Sequence, residues 1–308
     1  MEKTPFTPRD FLAPRYWPTW LGLGLLRLAV LLPYPLLLRL GRAIGWAIYH
    51  LVPKRRHVAE VNISLCFPQL DAHERQRLVR DTIDASAIAI FEGAMSWWGD
   101  SSHLQALHRI EGVEHLQQAL AQGKGAILLG GHYTTLELSG RLFAFHIDSI
   151  NPIYKPARNA LFDAVMVSSR KRLFDGLLDN SDMRAILRTL KQGKIIWYAP
   201  DQDFGMERSV FAPFFGIQAA TLTTTARLAR LSGAPLLPFY SQRLPSNEGY
   251  LLKILPPLEK FPGGDDVADA TRVNQVIEAG VCAAPEQYLW VHRRFKSRPP
   301  GEPSLYQR

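Results

Sequence analysis

Cysteine is almost missing from this chain: Cys66 and Cys282 are the only two in 308 residues. Two are too few for a disulfide framework and fit a reducing compartment. Each lies in an apolar run, Leu65-Cys66-Phe67 and Val281-Cys282-Ala283, which reads as core packing rather than thiol chemistry. Also absent are a Gly-x-Gly-x-x-Gly turn, a phosphate loop ending in Gly-Lys-Ser/Thr, a Gly-x-Ser-x-Gly elbow and a His-Glu-x-x-His pair. Nucleotide, serine-nucleophile and zinc-hydrolase chemistries thereby lose their usual carriers, and no cofactor or metal is expected. Acidic residues are in the minority, 28 against 36 Lys and Arg, for a net charge of +8. Nine of the basic residues and only three acidic ones fall in the first sixty positions. The basicity thus lies beside the most apolar part of the chain, which points to an anionic membrane surface and away from nucleic acid.

That apolar part is Leu21 to Leu40, interrupted by Arg27 and Arg39. A bilayer crossing needs about 20 such residues, but Pro33 and Pro35 break the run and Arg27 is costly at depth. Two arrangements fit, a single bent spanning helix or a pair of helices lying in the interface; a core hairpin over residues 21–52 is the plain alternative. A cleavable signal peptide is not expected, because the run starts late, lacks a small-residue cleavage site and is followed by Arg39, Arg42 and Lys54-Arg55-Arg56. The same clusters should hold the following chain on the cytoplasmic side of the membrane. Trp17, Trp20, Tyr34, Trp46 and Tyr49 suit interfacial anchoring. The composition changes at Pro53, so residues 1–52 read as an anchor and residues 53–308 as the catalytic domain.

In that larger region, strand-like and helix-like stretches alternate. Residues 73–98 read as one long helix ending in Trp97-Trp98, the pair being either core or a second membrane contact. Residues 126–129 and 195–198 read as buried strands, and residues 160–174, 181–192 and 266–283 as helices. Residues 204–220 read as an aromatic loop, and residues 250–255 as a last strand paired with 236–240. The alternation implies an α/β fold with a mostly parallel central sheet and helices on both faces.

The chemistry is expected in Gly130-Gly131-His132-Tyr133-Thr134-Thr135-Leu136-Glu137, a strand-to-helix turn at the carboxyl edge of the sheet, where ligands usually bind. Five residues turn a helical side chain by about 140°, so His132 and Glu137 cannot share a helix face and His132 belongs before the first turn. Its ring can then fold back onto a carboxylate in that turn, which fixes the tautomer that leaves the other nitrogen free to accept a proton. The competing reading makes Thr134-x-x-Glu137 a capping box. A histidine with a carboxylate and no nucleophile suits direct proton removal from a substrate hydroxyl that then attacks an activated acyl group. The apolar segment suggests a lipid hydroxyl.

These residues carry a resemblance. The chain resembles the lipid A biosynthesis acyltransferases of the lauroyl type, within the wider glycerolipid acyltransferase superfamily, over nearly its whole length. Besides His132-x-x-x-x-Glu137, it is carried by Phe11-Leu12-Ala13-Pro14-Arg15-Tyr16-Trp17, Leu32-Pro33-Tyr34-Pro35, Trp197-Tyr198-Ala199-Pro200-Asp201-Gln202-Asp203, Ala284-Pro285-Glu286-Gln287-Tyr288 and Trp290-Val291-His292-Arg293-Arg294-Phe295-Lys296. The superfamily more often has Asp at the acidic position, whereas Glu137 agrees with the lipid A branch.

The resemblance implies transfer of a laurate-like chain from acyl carrier protein to a hydroxyl on a 3-hydroxyacyl chain of a lipid A precursor, with His132 as base and Glu137 as its partner. Arg170 and Asp201 match further functional positions, and Asp203 is a weaker candidate. A guanidinium at Arg170 suits a phosphate or a thioester-side group, or else is a solvated helix charge. Asp201 orients His132 or Arg170, or caps a turn. An acidic carrier calls for a basic face, offered by Arg293, Arg294, Lys296 and Arg298 or by Lys171 and Arg172, the same clusters being equally suited to lipid headgroups. The rival functions are acyl transfer to glycerol phosphate or another glycolipid, and a membrane lipid-binding protein without turnover.

Overall fold

The computed structural model describes residues 6–307. The amino-terminal half is helical: α1 (Trp17–Ala29), α2 (Tyr34–Leu51), α3 (Pro53–Cys66), α4 (Ala72–Trp98) and α5 (Ser101–Ala106). Strands and helices then alternate as β1 (His108–Glu111), α6 (Val113–Leu120), β2 (Ala126–Leu129), α7 (Leu136–Phe143), β3 (Ile150–Tyr154), α8 (Ala160–Arg170), β4 (Leu178–Asp179), α9 (Met183–Lys191) and β5 (Ile195–Tyr198). The chain closes with β6 (Ser209–Phe214), β7 (Ile217–Leu222), α10 (Thr224–Ser232), β8 (Leu236–Arg243), β9 (Tyr250–Ile254) and α11 (Asp266–Ala283). Side-chain caps set several helix starts: Asp71 and Glu74 form a reciprocal capping box at α4, and Asn159, Asp182 and Asp265 cap α8, α9 and α11.

Seven strands form one sheet in the order β1-β9-β8-β2-β5-β3-β4, parallel throughout except for the antiparallel β8–β9 pair. The expected mostly parallel sheet is therefore present. Its central strands are buried on both faces, as crossover helices require. Along β2, Ala126 and Leu128 enter one core and Ile127 and Leu129 the other; β5 divides Ile195 and Trp197 from Ile196 and Tyr198 in the same way. The supposed loop over residues 204–220 is instead the β6–β7 hairpin. Phe215 and Gly216 make its two-residue turn, with φ of 50° and 78°, the positive values that tight hairpins need.

The amino-terminal apolar run corrects one expectation. It breaks at residues 30–33, with Pro35 in the first turn of α2, and none of the described helices is long and apolar enough to cross a membrane. The single spanning helix is thereby ruled out among the described residues. α2 packs one face on α4, burying Tyr34, Leu37, Leu38 and Tyr49; full burial of such a side chain contributes about 1.5–3 kcal/mol. Gly41 and Gly45 allow the close approach, since a Cβ on Gly41 would stand 2.5 Å from Ile88 Cγ1. The other faces stay uncovered: Trp17, Leu21, Leu25 and Leu28 on α1, Leu31 in the turn, and Leu36, Leu40 and Ile44 on α2 are all exposed.

Beneath α2, a buried ion pair ties α4 to the sheet. Arg243 Nη1 donates to Glu92 Oε1 at 2.6 Å, and the Tyr250 hydroxyl donates to the same oxygen at 2.9 Å. Removing one partner strands a buried charge. Arg243→Met is expected to lower the unfolding free energy by about 3–5 kcal/mol, read from denaturant titration. Adding Glu92→Leu should recover much of that loss, and a double variant as unstable as the two single losses added together would refute the stranded-charge explanation.

Candidate active site

β2 and β5 lie side by side and parallel, with Leu129 opposite Tyr198 as their last pair. Residues equally far beyond that pair emerge together, and His132 and Asp201 are each three positions on. The Gly130 N–H donates to the Tyr198 carbonyl at 3.0 Å. A Cβ on Gly130 would come within 3.0 Å of Trp197 Nε1, and one on Gly131 within 3.1 Å of the Tyr133 ring, so the turn is as tight as two glycines permit. The 284–290 segment clamps it from outside: Thr134 N–H donates to the Gln287 carbonyl at 2.7 Å and Leu289 N–H to the His132 carbonyl at 3.1 Å.

Asp201 holds His132 at two points. The His132 backbone N–H donates to Oδ2 at 2.8 Å, and Nδ1 stands 2.6 Å from Oδ1. Asp201 is buried, its side chain 1% exposed, whereas the imidazole is 23% exposed and lines a cavity. Burial on its own would push the carboxyl up, but the imidazole's charge and hydrogen bonds, with help from Tyr288, bring it down to about 2. Burial on its own would push the imidazole down; the Asp201 charge and hydrogen bond outweigh it, so His132 sits above its ordinary value. An ionised Asp201 makes Nδ1 the protonated nitrogen, and Nε2 is left with a lone pair.

Glu137 is not the carboxylate on His132. In the first turn of α7 it faces the cavity beside His132 but binds elsewhere: Arg170 Nε donates to Oε1 at 3.1 Å, Arg170 Nη2 donates to Oε2, and Trp97 Nε1 donates to Oε1 at 2.7 Å. Nor does it form the capping box, since Thr135 occupies the N-cap of α7 without a side-chain bond. The fork of Arg170 on α8 satisfies both oxygens of Glu137. Burial pulls Arg170 down and Glu137 more than compensates, so the guanidinium keeps its charge. Trp97 therefore belongs to the site.

The cavity measures about 450 Å³ and has an apolar wall of Leu136, Ile153, Met166, Phe174, Trp197 and Leu228, with His132, Glu137 and Arg170 at its polar side. Asp201 and Asp203 do not line it. Asp203 is a structural tie: its carboxylate accepts from Ser297 N–H at 2.6 Å, Ser297 Oγ at 2.9 Å and Gly205 N–H at 2.9 Å. Among the basic residues expected to face an acidic partner, Arg294 is buried and donates to the Ala220 carbonyl and Thr221 Oγ1. Arg298 is tied to Gln218 and Glu302, while Arg293 and Lys296 are exposed. His292, quoted only within a sequence block, proves to be a neighbour of the dyad. Burial first, then the charges of His132 and Arg294, push it down to about 4, and its neutral Nε2 accepts from the Asp203 N–H at 3.2 Å.

The family model described as bacterial lipid A biosynthesis acyltransferase matches residues 4–297. The lipid A biosynthesis lauroyltransferase of Escherichia coli (strain K12) is 40% identical over 307 residues, covering 99% of this chain and 100% of that protein. The palmitoleoyltransferase of the same organism is also 40% identical, over 97% of both chains. Its myristoyltransferase is 30% identical over 100% of this chain and 95% of its own. With the cavity, the dyad and full-length similarity in agreement, the chain belongs to the bacterial lipid A biosynthesis acyltransferase family.

Proposed function

We propose that this acyltransferase moves a fatty acyl chain from acyl carrier protein to the hydroxyl of a 3-hydroxyacyl chain on a lipid A precursor, forming an acyloxyacyl ester. The observation that carries the chemistry is the His132–Asp201 pair, whose imidazole lines a largely apolar cavity. His132 Nε2 takes the hydroxyl proton, the alkoxide attacks the thioester carbonyl, and the departing thiolate takes the proton back. Asp201 stays ionised and stabilises the imidazolium formed between these steps. Two amides of the turn already have partners, Gly130 on Tyr198 and His132 on Asp201. Arg170 is therefore the better donor to the developing oxyanion, and Glu137 with Trp97 positions it. The apolar wall takes the acyl chain. Laurate is the expected chain on the resemblance carried by the sequence blocks, since identity to a lauroyl- and a palmitoleoyltransferase is equal.

The exposed stripe of α1 and α2 supports docking in the membrane interface on the cytoplasmic face of the inner membrane. Leu21, Leu25, Leu36 and Leu40 would lie in the headgroup region with Trp17 and Trp46 beside them. The acceptor then arrives from the bilayer, and Arg293 and Lys296 meet the acidic carrier.

His132→Ala should lower turnover by roughly 10²–10⁴-fold without loss of folding. Labelled acyl groups should leave the carrier only for acceptors bearing a 3-hydroxyacyl chain. Equal transfer to glycerol phosphate would favour another acceptor class, and near-normal turnover by the alanine variant would sink the base assignment.

The pH profile separates the two carboxylates. A base works when neutral, so the rate rises with pH through the His132 pKa, which Asp201 raises. Asp201→Asn removes that charge and leaves burial, so the acidic limb should move to lower pH while turnover falls about 10²-fold or more. Glu137→Gln should reduce turnover and leave the limb in place; a shifted limb in that variant would make Glu137 the partner of His132 after all.

A further inference from the structure

A second cavity, of about 220 Å³, opens between α1, the end of α4 and α8. Trp20, Leu23 and Val165 form its apolar wall, and Arg27 and Arg172 bring charge to it. None of the described residues lining it is acidic. Arg27 has no ion-pair partner among the described residues, and Arg172 has only two long contacts, to the Trp97 carbonyl and Ser169 Oγ at 3.3 Å each. Burial and then the Arg172 charge lower the neighbouring Arg141 guanidinium.

The groove is separate from the catalytic cavity. At about 100° per residue, Val165, Ser168 and Ser169 face one side of α8, and Met166 and Arg170 face a side about 120° round it. Trp97 stands between, its carbonyl accepting from Arg172 and its indole donating to Glu137 on the catalytic side. On α1, Trp20, Leu23, Gly24 and Arg27 form a face next to the exposed stripe of Trp17, Leu21, Leu25 and Leu28. The groove therefore opens beside the apolar surface, with Trp20, Trp98 and the two arginines grouped as at a headgroup level.

We propose that this groove binds an anionic phospholipid of the bilayer, its phosphodiester on Arg27 and Arg172 and one acyl chain against Trp20, Leu23 and Val165. The inference rests on the interfacial reading of α1 for how the lipid arrives. Recognition itself comes from the unpaired guanidiniums joined to an apolar wall, a combination that fits an amphiphilic anion and not a free phosphate. The catalytic cavity lies behind α8, so the lipid acts as a docking ligand and does not react.

The test uses short-chain, water-soluble dihexanoyl phosphatidylglycerol with the matching phosphatidylcholine as neutral comparator, titrated into the full chain. Phosphatidylglycerol should bind more tightly, and Arg27→Gln with Arg172→Gln should weaken it about tenfold or more. Gly24→Phe keeps every charge at a position that lines the groove and where a Cβ meets nothing within 4 Å, and should weaken binding as much. Unchanged binding in either variant, or equal binding of the two lipids to the unaltered chain, overturns the proposal. So does a raised acceptor KM with phosphatidylglycerol binding intact, which would give the groove to the acceptor's phosphate. Flotation with phosphatidylglycerol vesicles is read separately: failure of the unaltered chain to float refutes interfacial docking, while the soluble-lipid titration still decides the groove.

Discussion

The parallel register of β2 on β5 is the constraint from which the site follows. Once Leu129 lies opposite Tyr198, the turns beyond both strands start level, and a histidine and an aspartate three residues on must meet. A slip of register would move every inward side chain to the opposite face of the sheet. The two apolar cores that hold the sheet in register therefore also hold His132 Nδ1 at 2.6 Å from Asp201. Stability and proton chemistry share one set of contacts.

Charge is distributed around that pair by burial. Asp201 is enclosed, and its ionised form persists because His132 satisfies it twice. Behind it, His292 is kept neutral and the carboxylate of Asp203 is used up on Ser297 and Gly205. The uncommitted nitrogen of His132 thus lies at the cavity, next to an Arg170–Glu137 ion pair that fixes the guanidinium in place. Against a wall that is largely apolar around them, such preorganised groups act on developing charge more strongly than they would in water.

The amino-terminal helices link this chemistry to a surface. α2 meets α4 through Gly41 and Gly45, and α4 carries Trp97 to Glu137. The element bearing the exposed leucines is thus continuous in packing with the element whose Trp97 shares Glu137 with Arg170. α1 also borders the arginine-lined groove, and α8 serves both cavities, giving Val165 to the groove and Met166 and Arg170 to the catalytic side.

The sequence by itself determined the α/β class, the buried strands, the tight glycine turn, the position of His132 before its helix and the family. Each rests on local pattern or on blocks of adjacent residues. It also placed Arg170 and Asp201 among the candidates. What it did not determine is who pairs with whom. Glu137 is five residues from His132, but the helix that begins between them carries it toward Arg170, 33 residues away, and Asp201 reaches His132 across 69. Strand order and helix placement decide those meetings, and no spacing along the chain encodes them. The same holds for Arg294 and Asp203, which read as solvent-facing or substrate-facing charges until packing encloses them. It holds too for residues 21–40, whose composition suits a membrane but whose path is decided by Pro33, Pro35 and the glycine face that lays α2 along α4.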